Sequence, residues 1–128
     1  MSESQNILVI DDNPVVLEIL NDCLCKEGYK VVTADDGLKA LNAVQNFTPD
    51  GIITDIVMPN MEGLETITKM RQLFPDVKII AITGKIYSSG FDNLETAKVF
   101  GADATVRKPF SCVEVAKKLS ELLDTQED

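Results

Sequence analysis

Short apolar runs alternate along this chain with stretches whose apolar residues return every three or four positions. The runs include Ile7-Leu8-Val9-Ile10, Ile52-Ile53 and Ile79-Ile80-Ala81-Ile82. Such short, nearly continuous apolar segments read as strands buried on both faces. They predict strands at 7–11, 30–34, 51–55, 77–83 and 104–108. Between and after them, helical spacing predicts helices at 14–27, 37–47, 62–74, 90–100 and 112–124. Val16, Leu20, Cys23 and Leu24 form one apolar helical stripe, and Val115, Leu119, Leu122 and Leu123 another.

Local chemistry marks the boundaries. Pro14 suits a first helical turn, with Asn13 as a candidate cap. Asp12 is a second candidate for that cap. Gly28 and Gly101 stand where helices would end. Ser111 and Glu114 have the spacing of a capping box that opens the last helix. No linker or repeat interrupts the pattern, so one domain over 1–128 is expected, with a core from about 6 to 124 and a frayed acidic tail.

Strands alternating with helices imply an α/β fold, a parallel sheet covered by helices on both faces. Right-handed crossovers leave few topologies. In the doubly wound, five-stranded order 2-1-3-4-5 with five helices, the first and third strands are neighbours at the switch point. Ligands bind there, outside the carboxyl ends of the strands. That edge would collect Asp11 and Asp12 from the first strand, Asp55 from the third, Thr83 from the fourth and Lys108 from the fifth.

Composition narrows the chemistry. A net charge of −9 argues against direct nucleic-acid binding and against an anionic membrane surface. It suits a protein that gathers cations or docks on a basic partner. No apolar run approaches the roughly 20 residues that span a bilayer. Met1-Ser2-Glu3-Ser4-Gln5-Asn6 lacks the basic and apolar regions of a signal peptide, so a cytoplasmic protein is expected. Cys23, Cys25 and Cys112 have no metal-ligand spacing and are expected to be reduced thiols packed as small hydrophobes. The absence of histidine excludes His-ligated zinc, a Ser-His-Asp triad and a phosphohistidine on this chain.

Three converging carboxylates repel one another, and a bound cation is the usual remedy. All-oxygen ligands favour a hard ion such as Mg²⁺. Asp11 and Asp12 can hold it, while Asp55 shares it and presents an oxygen to an incoming phosphorus. A carboxylate attacking phosphorus gives an acyl phosphate. Lys108 would pair with a phosphoryl oxygen as a point charge, and Thr83 would donate a hydrogen bond to another. Taken singly, Asp12 could be a helix cap, Thr83 an ordinary strand-end hydroxyl and Lys108 a solvated lysine. All five at one sheet edge point to a site.

The segments ILVIDDNP (Ile7 to Pro14) and DIVMPNMEG (Asp55 to Gly63), with Thr83-Gly84, Gly101-Ala102-Asp103 and Lys108-Pro109-Phe110, resemble the receiver domain of two-component response regulators. The likeness covers nearly the whole chain and implies a flavodoxin-like fold. Asp55 matches the phosphoacceptor, which takes its phosphoryl group from a sensor histidine kinase or histidine phosphotransfer protein. Asp11 and Asp12 match the acidic pair at the Mg²⁺ site, and the backbone carbonyl of Val57 the third protein ligand. Thr83 matches the hydroxyl that follows the phosphoryl group on activation, and Lys108 the lysine that contacts it. The resemblance further implies a cis Lys108-Pro109 bond. It also implies a switch that signals to a downstream protein target through the surface of the fourth and fifth helices and the fifth strand. Such a protein is a monomer or a phosphorylation-dependent dimer, and its only chemistry is gaining and losing its own phosphoryl group.

Two features depart from the family. Thr105 stands where an aromatic rotamer switch is common, and the stretch around Ile86-Tyr87-Ser88-Ser89-Gly90-Phe91 is longer than usual. Tyr87 or Phe91 could replace the missing ring, or both could anchor the loop on the core. Other functions fit the sequence less well. A dehalogenase-type phosphatase needs a general acid at position 57, which is valine. A flavin-binding protein of this fold needs a loop that welcomes phosphate, which Asp11-Asp12-Asn13-Pro14 would repel. A pseudo-receiver that only binds partners would not need the acidic cluster, Thr83 and Lys108. The chain ends soon after its last predicted helix, so a stand-alone regulator or an excised receiver is expected.

Overall fold

The computed structural model describes residues 4–56, 63–83 and 101–124. Its elements run β1 (Asn6–Ile10), α1 (Pro14–Lys26), β2 (Lys30–Ala34), α2 (Gly37–Ala43), β3 (Gly51–Asp55), α3 (Gly63–Leu73), β4 (Lys78–Thr83), β5 (Ala104–Arg107) and α4 (Cys112–Asp124). The five strands form one parallel sheet in the order β2-β1-β3-β4-β5. The doubly wound order expected from the sequence is therefore the one observed. The helix predicted at 90–100 lies outside the described residues, as do Val57, Tyr87 and Phe91.

Period-two side-chain alternation along the strands builds two cores, one on each face of the sheet. Ile7 and Val9 of β1, Ile53 of β3 and Ile80 and Ile82 of β4 face Leu20 and Leu24 of α1 and Val115, Leu119 and Leu123 of α4. Leu8, Ile10, Ile52, Ile79 and Ala81 face the other way, against Ala40 of α2 and Ile67 and Met70 of α3. Strands with both faces covered must be apolar at successive positions, which explains the near-continuous runs.

Helix ends follow their local chemistry. Asn13 caps α1, its Oδ1 accepting from Val15 N at 2.9 Å, with Pro14 at the first position. Asp36 caps α2, accepting from Lys39 N at 2.8 Å. Ser111 Oγ accepts from Glu114 N at 3.1 Å at the start of α4. Gly28 and Gly101 have φ of 97° and 124°, where a Cβ would be strained. The helix expected to reach residue 47 ends at Ala43, because Gln45 N and Asn46 N bond to Asn42 O and Ala43 O and tighten the last turn.

Arg71 clasps the end of the sheet where the chain enters β4 and β5. Its guanidinium donates to Pro75 O, Val77 O, Gly101 O and Asp103 Oδ2 at 2.6–2.8 Å. Asp103 Oδ2 also accepts from Ile79 N at 2.8 Å. The match at Gly101-Ala102-Asp103 thus reflects a structural clasp on the turn before β5.

The expectation of three reduced thiols is corrected. Cys23 and Cys112 form a disulfide across 89 residues, with their Cα atoms 6.3 Å apart, while Cys25 is free and exposed. The reason is tertiary: α1 and α4 pack side by side on one sheet face, a neighbourhood invisible in cysteine spacing. No described helix is long and apolar enough to cross a membrane.

Leu119 is 0% exposed beneath α4, whereas Val113 on the same helix is 76% exposed. Leu119→Ala is expected to lower unfolding stability by about 2–5 kcal/mol through the cavity it leaves. Val113→Ala should stay within about 0.5 kcal/mol. Urea denaturation of the two variants measures the contrast.

Candidate functional site

Parallel strands end together, so the residues following them meet at one edge. Asp11 follows β1, its amide donating to Ala34 O at 3.2 Å. Its Oδ1 accepts from Asn13 N at 2.9 Å, which fixes the carboxylate over the turn into α1. Asp12 is exposed beside it. Asp55 is the last residue of β3, in register with Ile82 of β4. Thr54 Oγ1 donates to Asp55 O at 2.9 Å, holding the backbone there. Lys108 follows β5, and its bond to Pro109 is cis.

The side chains converge. Lys108 Nζ stands 3.1 Å from Asp11 Oδ2 and 3.3 Å from Asp55 Oδ2. Carboxylate oxygens of Asp11, Asp12 and Asp55 all lie within 4.8 Å of one another. Asp11 Oδ2 is buried, and the Lys108 ammonium is its close partner. One lysine therefore faces three acids, and its single positive charge leaves the cluster net negative. An all-carboxylate donor set of this kind fits a hard, oxygen-seeking divalent ion.

Electrostatics carry the same imprint. Burial pushes the Asp11 carboxyl above the ordinary aspartate range. The hydrogen bond from Asn13 opposes that rise, nearby Asp55 adds to it, and Lys108 works against it. For Lys108, burial acts to lower the ammonium pKa, but the Asp11 and Asp55 charges outweigh it and the net shift is upward. The acids therefore hold the ammonium in its charged form more firmly than burial opposes it.

The edge thus brings together Asp11, Asp12, Asp55 and Lys108, as the sequence predicts. β4 ends on Thr83, in register with Arg107 of β5. The Thr83 side chain and the Val57 carbonyl lie outside the described set. Two contributors were not foreseen: the Asn13 amide that orients Asp11, and the close approach of Gly63. Gly63 N donates to Ile56 O at 3.1 Å, and a Cβ at Gly63 would fall on Asp55 O and the Ile56 backbone. The signal for it was the glycine closing the Asp55-to-Gly63 segment.

A five-stranded doubly wound sheet with an acidic cluster and a lysine at its carboxyl edge defines a class of signalling domain. The response regulator receiver domain profile matches residues 7–120, and the chain belongs to that family. Among curated relatives, a probable transcriptional regulatory protein, TcrX of Mycobacterium tuberculosis, is 34% identical over 117 residues, 91% of this chain and 49% of that protein. Response regulator MprA of a Mycobacterium species is 35% identical over 118 residues, 91% of this chain and 50% of that protein. The chain therefore spans about half the length of these relatives. Among solved structures, a CheY-like receiver domain protein from Methanospirillum hungatei is 32% identical with a TM-score of 0.89, covering 98% of each chain. Chemotaxis response regulator CheY4 of Vibrio cholerae is 28% identical with a TM-score of 0.82, covering 93% of this chain and 98% of that one.

In cation-free protein the charged form of Asp11 is disfavoured by folding, so its contribution improves as pH falls through the raised carboxyl pKa. This is the opposite sign to a salt-bridged aspartate with a depressed pKa. Asp11→Asn should stabilise the cation-free protein at neutral pH, because burial of the charged carboxylate, the largest cause of its raised pKa, together with repulsion from Asp55 outweighs the Asn13 hydrogen bond and the pairing with Lys108. It should also abolish any rise in Tm on adding Mg²⁺; calorimetry with and without chelator checks both. At Gly63, alanine should cost about 1–3 kcal/mol, because the atoms it meets are backbone and cannot swing aside. Urea titration of Gly63→Ala measures that cost.

Proposed function

We propose that this chain is a single receiver domain that takes a phosphoryl group on Asp55 from the phosphohistidine of a sensor histidine kinase or histidine phosphotransfer protein. The observation that carries the reading is Lys108 Nζ lying against both Asp11 Oδ2 and Asp55 Oδ2 in a three-carboxylate cluster at the sheet edge. An Asp55 carboxylate oxygen attacks the donor phosphorus while the donor's P–N bond breaks. The imidazole nitrogen keeps the electron pair, and Asp55 becomes an acyl phosphate. Asp11, Asp12 and Asp55 would hold Mg²⁺, joined by the Val57 carbonyl if the family's ligand set carries over. Once bound, that ion would offset charge on the transferring group.

Lys108 begins paired with Asp11 and Asp55 and then meets the phosphoryl oxygens, whose roughly −1.5 to −2 charge exceeds that of one carboxylate. Thr83, at the end of the neighbouring strand, would donate its hydroxyl to the same group. These attractions favour a second arrangement of the segments around β4 and β5 and so alter contacts with a downstream protein. No step offers a general acid for ordinary phosphate esters, so the chain acts as a switch and not a turnover phosphatase. Val15 and Ile19 on α1 are exposed at 60% and 50%, beside a cleft lined by Val16, Lys108, Pro109 and Phe110. That apolar surface next to the acids supports protein contact at the site. The acidic chain and the absence of any membrane-crossing described helix support a cytoplasmic location.

Incubation with a small acyl phosphate and Mg²⁺, followed by intact-mass measurement, tests the assignment. One phosphoryl adduct is expected on the wild-type chain and none on Asp55→Ala. Equal labelling of the variant, or no labelling of the wild type, overturns it.

A further inference from the structure

Segment 108–112 is held against α1 at several points. At its start, Lys108 reaches Asp11 and Asp55. Pro109 and Phe110 share a cleft with Val16 and Ile19 of α1. At its end, Cys112 opens α4 and is bonded to Cys23 of α1. Because α1 begins directly after Asp11, Asp12 and Asn13, these contacts form a ring. It runs from Asp11 through α1 to Cys23, across to Cys112, back along the segment to Lys108, and closes on Asp11. One closure is a covalent bond and the other is an ion pair in the phosphoacceptor cluster.

We propose that Cys23 and Cys112 are a reversible thiol–disulfide switch that sets how firmly Lys108 is positioned over Asp55. The coupling to phosphorylation rests on Asp55 being the phosphoacceptor; the tether itself does not. Both cysteines are half-buried and so within reach of small reagents, and their 6.3 Å Cα separation lies in the range that a disulfide spans. The oxidant belongs to the class of low-molecular-weight disulfides such as oxidised glutathione. One cysteine thiolate attacks a sulfur of that disulfide and expels one thiol. The second cysteine then attacks the mixed disulfide and expels the other, so the pair loses two electrons, the reagent gains two, and both protons end on the released thiols. A reducing thiol reverses the sequence. Disulfides in reducing compartments are usually of this switching kind.

In the oxidised chain the ring is closed at both ends, and Lys108 is pre-positioned for the incoming phosphoryl group. In the reduced chain the covalent closure is gone, and the segment is restrained by the Lys108 ion pairs, the packing of Pro109 and Phe110 against α1 and the cap at Ser111. Lys108 is the group that reads the switch, and the cysteines act through it.

The test begins with the 128-residue chain equilibrated against reduced or oxidised glutathione, then alkylated and peptide-mapped. Oxidation is expected to protect Cys23 and Cys112 together and to leave Cys25 alkylated. Recovery of all three as alkylated cysteines after oxidation would overturn the proposal. Initial rates of Asp55 labelling by acetyl phosphate with Mg²⁺ are then compared. The oxidised chain should label roughly fivefold faster or more, the usual scale of coupling between linked sites. Cys25→Ser should keep that ratio, and Cys23→Ala should remove it. In Lys108→Ala the ratio should fall to one. A ratio that persists without the lysine would show a general stiffening and sink the positioning role, as would equal rates in both redox states. Hydrogen exchange over residues 106–113 provides a readout independent of phosphorylation, with greater protection expected in the oxidised chain. If neither state labels at Asp55, the phosphoacceptor reading fails and exchange alone decides the tether, with equal protection refuting it.

Discussion

One ammonium group set against three carboxylates is the interaction around which the site is organised. Lys108 cannot neutralise Asp11, Asp12 and Asp55 at once, and the buried Asp11 carboxylate shares that one cation with Asp55. Such an arrangement is costly in a resting protein, because buried charge needs full compensation. The surrounding hydrogen bonds resist relaxation: Asn13 N holds Asp11, and Thr54 Oγ1 holds the Asp55 carbonyl.

The sheet makes this concentration of charge possible. The middle positions of its central strands, Ile7 to Ile10, Ile52-Ile53 and Ile79 to Ile82, are apolar, and both faces are sealed, by α1 and α4 on one side and α2 and α3 on the other. Polar function is thereby confined to the strand ends. The two ends are used differently. At the carboxyl edge three acids meet one lysine and carry an excess of negative charge. At the opposite edge Arg71 spends its donors on carbonyls and Asp103, a closed network that stiffens the entry to β5.

The segment between β5 and α4 connects these themes. It carries Lys108 into the cluster, turns through a cis bond, lays Phe110 on the core beside α1 and ends at the cysteine bonded to α1. Changes felt at α1 or α4 therefore have a short covalent route to the one cation in the described cluster.

Much of this was legible in the chain itself. Short apolar runs set the strands, Asn13 and Ser111 announced helix starts, and strand-end positions for Asp11, Asp55 and Lys108 follow once the strands alternate with helices. These are local signals: a buried strand must be apolar, and a capping side chain acts within three residues. The Cys23–Cys112 pairing, the Arg71 clasp and the close packing of Gly63 against the Asp55–Ile56 backbone, which leaves no room for a Cβ, were not legible. Each joins segments that are neighbours only after the helices settle on the sheet, and spacing in sequence says little about distances across a packed face. Sequence determined which groups would stand at the edge; tertiary packing decided their partners, because helix-on-sheet contacts and side-chain reach exist only in the folded chain.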